Sequence, residues 1–231
     1  MSPTTRECEW LRFLENVPQW LPPKRPTVVI APHPDDETLG AGGLIAIQRR
    51  KDVPVIIIAV TDGEAAYSDA IHLDEIRRAE QESAVGELGV ECTEIRRLGL
   101  SDGKVASFED KLVDLVRPSM RPGTLLVAPW SRDPHPDHEA CGRAAERLAK
   151  EPDSDISLIS YLFWTWHRNR VESLATLPLR RLKLDAQIQA ARSAALSEHR
   201  SQLEWEMGSP VLPESLLYPA RRPFETFIIH G

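Results

Sequence analysis

Two short stretches of the chain concentrate imidazole and carboxylate groups. Residues 32–43 read Pro-His-Pro-Asp-Asp-Glu-Thr-Leu-Gly-Ala-Gly-Gly, and residues 134–138 read Pro-His-Pro-Asp-His. His33 and Asp36 are three positions apart, and so are His135 and His138. On a turn or a first helical turn that spacing points side chains the same way. Neutral imidazole and carboxylate suit a borderline divalent ion such as zinc. Two histidines and one carboxylate are the usual protein ligands of a catalytic zinc site, with water in an open position. Such an ion lowers the pKa of its water to about 7 and polarises a carbonyl. The four candidate ligands exceed that set, and Asp35 and Asp137 add carboxylates for acid and base work. The surplus favours a catalytic site over a closed structural one.

Both stretches must be held by something rigid, and each follows an apolar run: Thr27 to Ala31 before the first, Leu125 to Ala128 before the second. The pattern predicts strands at 27–31, 54–60, 92–97, 124–129 and 156–163, alternating with helices at 39–50, 72–88, 107–117 and 138–149. Gly89 suits the end of the second helix. The unbroken run Val55-Ile-Ile-Ile-Ala-Val60 fits a strand buried on both faces of a parallel sheet. Strands separated by helices imply βαβ crossovers. The fold class is therefore α/β: Rossmann-like and doubly wound, with a mostly parallel sheet and helices on both faces. Ligands of such sheets bind beyond the carboxyl ends of the strands, which is where both stretches fall. Further on the pattern predicts a loop at 164–170, a strand at 179–184, a helix at 186–203 capped by Asp185, and a last strand at 224–229. Residues 1–26 read as a short amphipathic helix and a proline-rich connector, with aromatics packed on the rest. The whole, 1–231, reads as one domain.

Composition narrows the function classes. The chain has 231 residues, 42% hydrophobic and 27% charged, ordinary values for a globular protein. A net charge of −7 disfavours nucleic acid as a partner. No apolar stretch approaches the ~20 residues of a membrane span. Three widely spaced cysteines suggest neither a disulfide framework nor a cysteine zinc site, which points to a reducing, cytoplasmic setting. Amphipathic surface helices fit monomers and oligomers alike, so the oligomeric state is unread.

The residues also carry a resemblance. Ala31 to Gly43, with the later Asp133-Pro-His-Pro-Asp-His138, resembles the LmbE-like, or PIG-L, family of zinc-dependent N-acetylglucosamine deacetylases. The likeness runs from about Val28 to Gln202. It takes in Thr61-Asp-Gly-Glu64, the helix from Arg78 to Gly89, Leu98-Gly-Leu-Ser-Asp-Gly103 and His199-Arg-Ser-Gln202. It implies that His33, Asp36 and His138 bind Zn2+, with Fe2+ or another divalent ion an alternative in the cell. It implies that Asp35 is the general base for a zinc-activated water, and that His135 stabilises the oxyanion and protonates the leaving amine. The implied substrate is a small molecule containing N-acetylglucosamine, from which the N-acetyl group is removed. One position departs from the pattern: some members have a tyrosine two residues before the first histidine of the second motif, and here it is Asp133. Either zinc and His135 suffice for the oxyanion, or another group such as Tyr67 or Tyr161 enters the site.

Several readings stay open on sequence. Glu37 either coordinates or orients a ligand, or stands behind the ligands or caps the helix. Asp62 and Gly63 either form a turn or touch substrate. Asp102 either binds a sugar hydroxyl or caps helix 107–117. Arg77 and Arg78 either form solvated ion pairs or reach an anionic part of the substrate. Trp164, Trp166 and His167 either stack on a sugar or pack in the core. The close-set Gly40, Gly42 and Gly43 fit tight helix packing better than a phosphate cradle. His199 reads as a packed or capping histidine. Three rival functions remain: an amidase for a larger thiol or natural-product conjugate, a metallophosphoesterase, which would need more ligands for two metals, and a metal-dependent sugar-binding protein, which would need no Asp35.

Overall fold

The computed structural model describes residues 3–67, 70–152, 154–205 and 208–231. In chain order its main elements are α1 (Glu7–Leu14), β1 (Thr27–Ala31), α2 (Asp36–Arg50), β2 (Val55–Ala59), α3 (Leu73–Glu87), β3 (Ile95–Arg97), α4 (Glu109–Val116) and β4 (Leu125–Pro129). These are followed by α5 (Pro136–Ala149), β5 (Ser157–Tyr161), α6 (Trp164–Arg168), β6 (Leu179–Lys183), α7 (Ala186–Glu198), α8 (Arg200–Leu203), α9 (Glu214–Leu217) and β7 (Phe224–Ile229).

The strands form one sheet in the order β3-β2-β1-β4-β5-β7-β6. The first five run parallel, while β7 is antiparallel to both β5 and β6. Successive residues of a strand face opposite sides of a sheet, and β1 shows this directly. Val29 and Ala31 join one apolar cluster, under α2, α3 and α7; Val28 and Ile30 join another, under α4 and α5. Helices thus cover both faces, as the fold class requires. The strand order reverses between β1 and β4, and the crevice at such a switch point is the standard ligand site of open α/β sheets. Both His/Asp stretches leave those two strands.

Most strand and helix positions follow the periodicity, with local departures. Residues 92–94 form a single 3-10 turn before β3, closed by a reciprocal pair in which Glu91 accepts from the Glu94 amide and Glu94 from the Glu91 amide. The segment expected as a loop at 164–170 contains the short helix α6. The expected helix 186–203 breaks at His199 into α7 and α8. The N-terminal helix packs as anticipated: Trp10 and Leu14 are buried with Trp130, Leu162 and Trp166. Gly40 shows why the second turn of α2 is made of small residues. A methyl group there would overlap the ring of Tyr161. Among the described residues no helix is long and apolar enough to cross a membrane, and Cys8, Cys92 and Cys141 are free thiols.

Candidate active site

The first motif forms a sharp turn between β1 and α2. Asp35 is the residue before α2 and has φ 147°, a conformation L residues rarely adopt. Such strain costs on the order of 1–3 kcal/mol and persists only where the surroundings fix it. Here they do. Thr61 holds the carbonyl of Pro32 through its amide and its hydroxyl. Arg77 and Gln202 both donate to the carbonyl of Pro34, and Arg77 also donates to the side-chain oxygen of Gln202. Arg77 further donates to the carbonyl of Gly63 at 2.8 Å. Gly63, at φ +68°, has the Arg77 guanidinium where a Cβ would stand, so glycine is required twice over. The strained turn sends Asp35 and Asp36 into the crevice.

Asp36 lies at the centre of the ring of side chains. Its Oδ2 is 3.1 Å from His33 Nδ1 and 3.2 Å from His138 Nε2. His138 is fully buried, and its Nε2 makes no well-directed hydrogen bond to any protein atom. A buried imidazole nitrogen without a partner, facing a carboxylate and a second imidazole, is a donor set that fits a divalent ion. A second group, His33, His135 and Asp137, also comes within ligand distance but has no such orphaned atom.

Carboxylates stand behind both histidines. His33 Nε2 is 3.2 Å from Asp102 Oδ1 and 3.3 Å from Asp137 Oδ2. His138 Nδ1 is 2.8 Å from Asp133 Oδ2. Burial pulls the His33 pKa down, but Asp102, Asp137 and Asp36 outweigh it and raise it well above the ordinary range. Burial likewise opposes the rise of His138, which Asp36 and Asp133 carry to about 9. Burial would raise Asp36, yet His138 and His33 hold it below the carboxylate range. Positive charge is therefore favoured at this spot, and a metal ion competes with protons for it.

Asp35 differs from its neighbour. Burial and the charge of Asp36 raise its pKa well above the usual value, against the pull of Arg77. His135 caps the start of α5, its Nδ1 accepting from the Asp137 amide at 3.3 Å. That assigns the proton to Nε2. Burial, then the charges of His33 and His138, lower its pKa to about 4. Trp164 stacks on the His135 ring at 5.6 Å between centroids and 14° between planes.

These groups line one cavity of about 300 Å³, walled by His33, Asp35, Asp36, Asp102, His135 and Trp164. Asp102 faces this cavity, braced by the Ala65 amide at 3.0 Å, and does not cap α4. Arg77 reaches the cavity wall, but its terminal donors are spent on Gly63, Pro34 and Gln202. Trp166 stands apart from the other expected residues. It is buried against Trp10, with ring centroids 5.0 Å apart, and under the Arg222 guanidinium. It packs in the core and does not line the cavity, because α6 turns it inward while Trp164 faces out. The two tyrosines considered for the oxyanion are engaged elsewhere: Tyr161 donates to the Ile30 carbonyl and Tyr67 to the Ser201 carbonyl. His199 is buried, with Nε2 3.2 Å from the Thr38 hydroxyl, and is a packed histidine. Glu37 is buried on Gln81 and Thr38 and points away from the ring.

Sequence reasoning missed Asp133. It is fully buried, and its two oxygens accept from His138 Nδ1, from the Trp164 amide at 3.1 Å and from the Thr165 amide at 2.6 Å. The sequence marks it only as the residue where a tyrosine stands elsewhere.

The PIG-L family profile, described as GlcNAc-PI de-N-acetylase, matches residues 28–149. The "Probable N-acetyl-alpha-D-glucosaminyl L-malate deacetylase 2" of Bacillus subtilis (strain 168) is 33% identical over 198 residues, covering 78% of this chain and 85% of that protein. The N,N'-diacetylchitobiose deacetylase of Pyrococcus horikoshii superposes with a TM-score of 0.66 at 21% identity, over 94% of this chain and 85% of that one. Teicoplanin deacetylase Orf2 gives a TM-score of 0.66 at 19% identity, over 88% and 97% of the two chains. A profile match spanning both His/Asp stretches, and a relative aligned over most of both chains, lead to one conclusion: the chain belongs to the PIG-L, or LmbE-like, family.

Proposed function

We propose that the chain is a metal-dependent hydrolase that removes the N-acetyl group from a small molecule containing N-acetylglucosamine. One observation carries this reading. A buried, strained carboxylate (Asp35) and an imidazole with its proton on Nε2 (His135) face one cavity across the His33, Asp36 and His138 set. A divalent ion on that set, with zinc the natural candidate, would supply an acidified water and Lewis-acid polarisation of the amide carbonyl.

The side chains then have distinct tasks. Asp35 takes the proton of the attacking water as the C–O bond forms, and its raised pKa makes it a stronger base than a solvated carboxylate. Arg77, with Nη2 3.8 Å from Asp35 Oδ2, opposes that rise and favours the ionised form. His135 donates from Nε2 to the developing oxyanion. With a pKa lowered to about 4 it starts neutral, so it polarises rather than delivers a proton at the outset. As the C–N bond breaks, Asp35 returns its proton to the leaving nitrogen, giving acetate and a free amine. Trp164, with His135 stacked on its ring and the Arg168 guanidinium 4.2 Å from its centroid, gives the substrate an aromatic wall, and Asp102 offers an acceptor for a hydroxyl.

The cavity, about 300 Å³, lies at the small end of ligand sites, which run ~300–1,000 Å³. Of segment 164–170 Trp164 alone lines it, which favours a small glycoside over a large conjugate. The Bacillus relative's name makes N-acetylglucosaminyl malate the first compound to try. The test is acetate release from a panel of N-acetylated amino sugars by metal-stripped enzyme with and without zinc. Zinc-dependent release supports the reading. No release from any member, with one equivalent of zinc bound, refutes it in favour of a binding role or a larger acylated substrate.

A further inference from the structure

The carboxylate of Asp133 touches two parts of the site, a candidate ligand and the start of α6. Oδ2 lies 2.8 Å from His138 Nδ1 and accepts the Trp164 amide at 3.1 Å, while Oδ1 accepts the Thr165 amide at 2.6 Å. Those amides open α6, where main-chain N–H groups have no partner within the helix. His138 offers its other nitrogen to the candidate metal site, and Trp164 stacks on His135 to form the cavity wall. Asp133 itself is fully buried and lines no part of the cavity, so it cannot stand in for an oxyanion partner.

We infer that Asp133 is a positioning residue that fixes His138 with its proton on Nδ1, so that Nε2 faces the metal, and at the same time anchors the Trp164 wall of the substrate pocket. The inference rests on the metal-dependent reading above. Its physical basis is that a carboxylate only accepts. Facing Asp133, Nδ1 of His138 must carry hydrogen, which leaves the Nε2 lone pair for an ion. One buried group thereby sets both metal affinity and the placement of an aromatic substrate contact 31 residues further along the chain.

Two substitutions test both tasks. Asp133→Ala removes the acceptor of His138 Nδ1 and of both α6 amides. Asp133→Asn keeps one oxygen: it stays on Thr165 with the NH₂ against His138 Nδ1 and the Trp164 N–H, or it stays on His138 and Trp164 with the NH₂ against the Thr165 N–H, so in either orientation an N–H that opens α6 loses its acceptor. The measurements are zinc affinity by chelator competition and KM at saturating zinc. Alanine is expected to weaken zinc by about 10–100-fold and to raise KM several-fold. Asn is expected to raise KM several-fold as well. A spectrum of zinc-loaded, ¹⁵N-histidine-labelled wild type should show His138 coordinated through Nε2 with Nδ1 protonated, and this holds even if a variant does not fold. Coordination through Nδ1, or zinc affinity of the Ala variant within about threefold of wild type, overturns the inference while leaving the metal-dependent reading intact. Failure of wild type itself to bind zinc would instead sink that reading and this inference with it.

Discussion

Arg77 Nη2 lies 3.8 Å from Asp35 Oδ2, and both side chains are buried. The guanidinium is thus the nearest fixed positive charge to the candidate base, held there by the carbonyls of Gly63 and Pro34. Because it lowers the Asp35 pKa, its loss must raise it. A base with a higher pKa is protonated at higher pH, so Arg77→Gln should shift the acid limb of the kcat/KM profile toward alkaline pH. Rate profiles of the two enzymes at saturating zinc test this. A limb left in place would mean that Asp35 is not the group being titrated.

Asp35→Asn removes the proton acceptor but keeps the shape of the turn. Turnover should fall by ~10²–10⁴-fold, with zinc binding retained. Calorimetric zinc titration beside an acetate assay separates an enzyme from a sugar-binding protein, since a binder would keep its ligand affinity and show no rate to lose.

His138→Ala deletes the candidate ligand with the orphaned Nε2. Zinc should raise the melting temperature of wild type, because a ligand at one hundred times its Kd stabilises the folded state by ~2.7 kcal/mol. The variant should show little or none of this rise. An undiminished zinc-induced shift in the variant would place the metal on other residues.

Glu37 makes a pH prediction of its own. Burial raises its pKa from 4.5 to about 7, with Gln81 as a partial counterweight. The unfolded chain gives up this proton near 4.5, and the folded chain keeps it up to about 7. Stability is therefore fully present below pH 4.5 and is lost progressively as pH rises through 7, by ~3 kcal/mol at most. Glu37→Gln is neutral throughout and should gain on wild type over that window. Urea denaturation of the two metal-stripped proteins at pH 5 and pH 8 compares them. A constant difference would show that Glu37 ionises normally in the fold.

How much of this could be read from sequence differs by element. Strand β1 and helix α2 were legible because apolar periodicity and the motif are local. The position of the site followed from the same residues, since both stretches come directly after strands and so fall beyond their carboxyl ends; that the two strands are neighbours is shown by the sheet order alone. Helix α6 was not legible: aromatic and β-branched residues dominate Trp-Thr-Trp-His-Arg, and its first amides depend on Asp133, far back in the chain. The break at His199 was hidden for a similar reason. Alanine-rich propensity carries a helix onward, but His199 is drawn into the core against Thr38, 161 residues earlier. The reversal that makes β7 antiparallel has no signal in its apolar run. Trp166 illustrates the limit for single residues: two tryptophans two positions apart share a composition, and only their packing separates wall from core.

The switch-point geometry also bears on how the protein comes together. The candidate ligands His33 and Asp36 lie at the end of β1, and His138 follows β4, its immediate neighbour in the sheet but nearly the last parallel strand made. A nascent chain that has completed β1, β2 and β3 owns two ligands and no third, and such long-range pairings form slowly. Tight zinc uptake would therefore report the moment when β4 docks beside β1, making the ion a timestamp for closure of the sheet as well as a reagent in it.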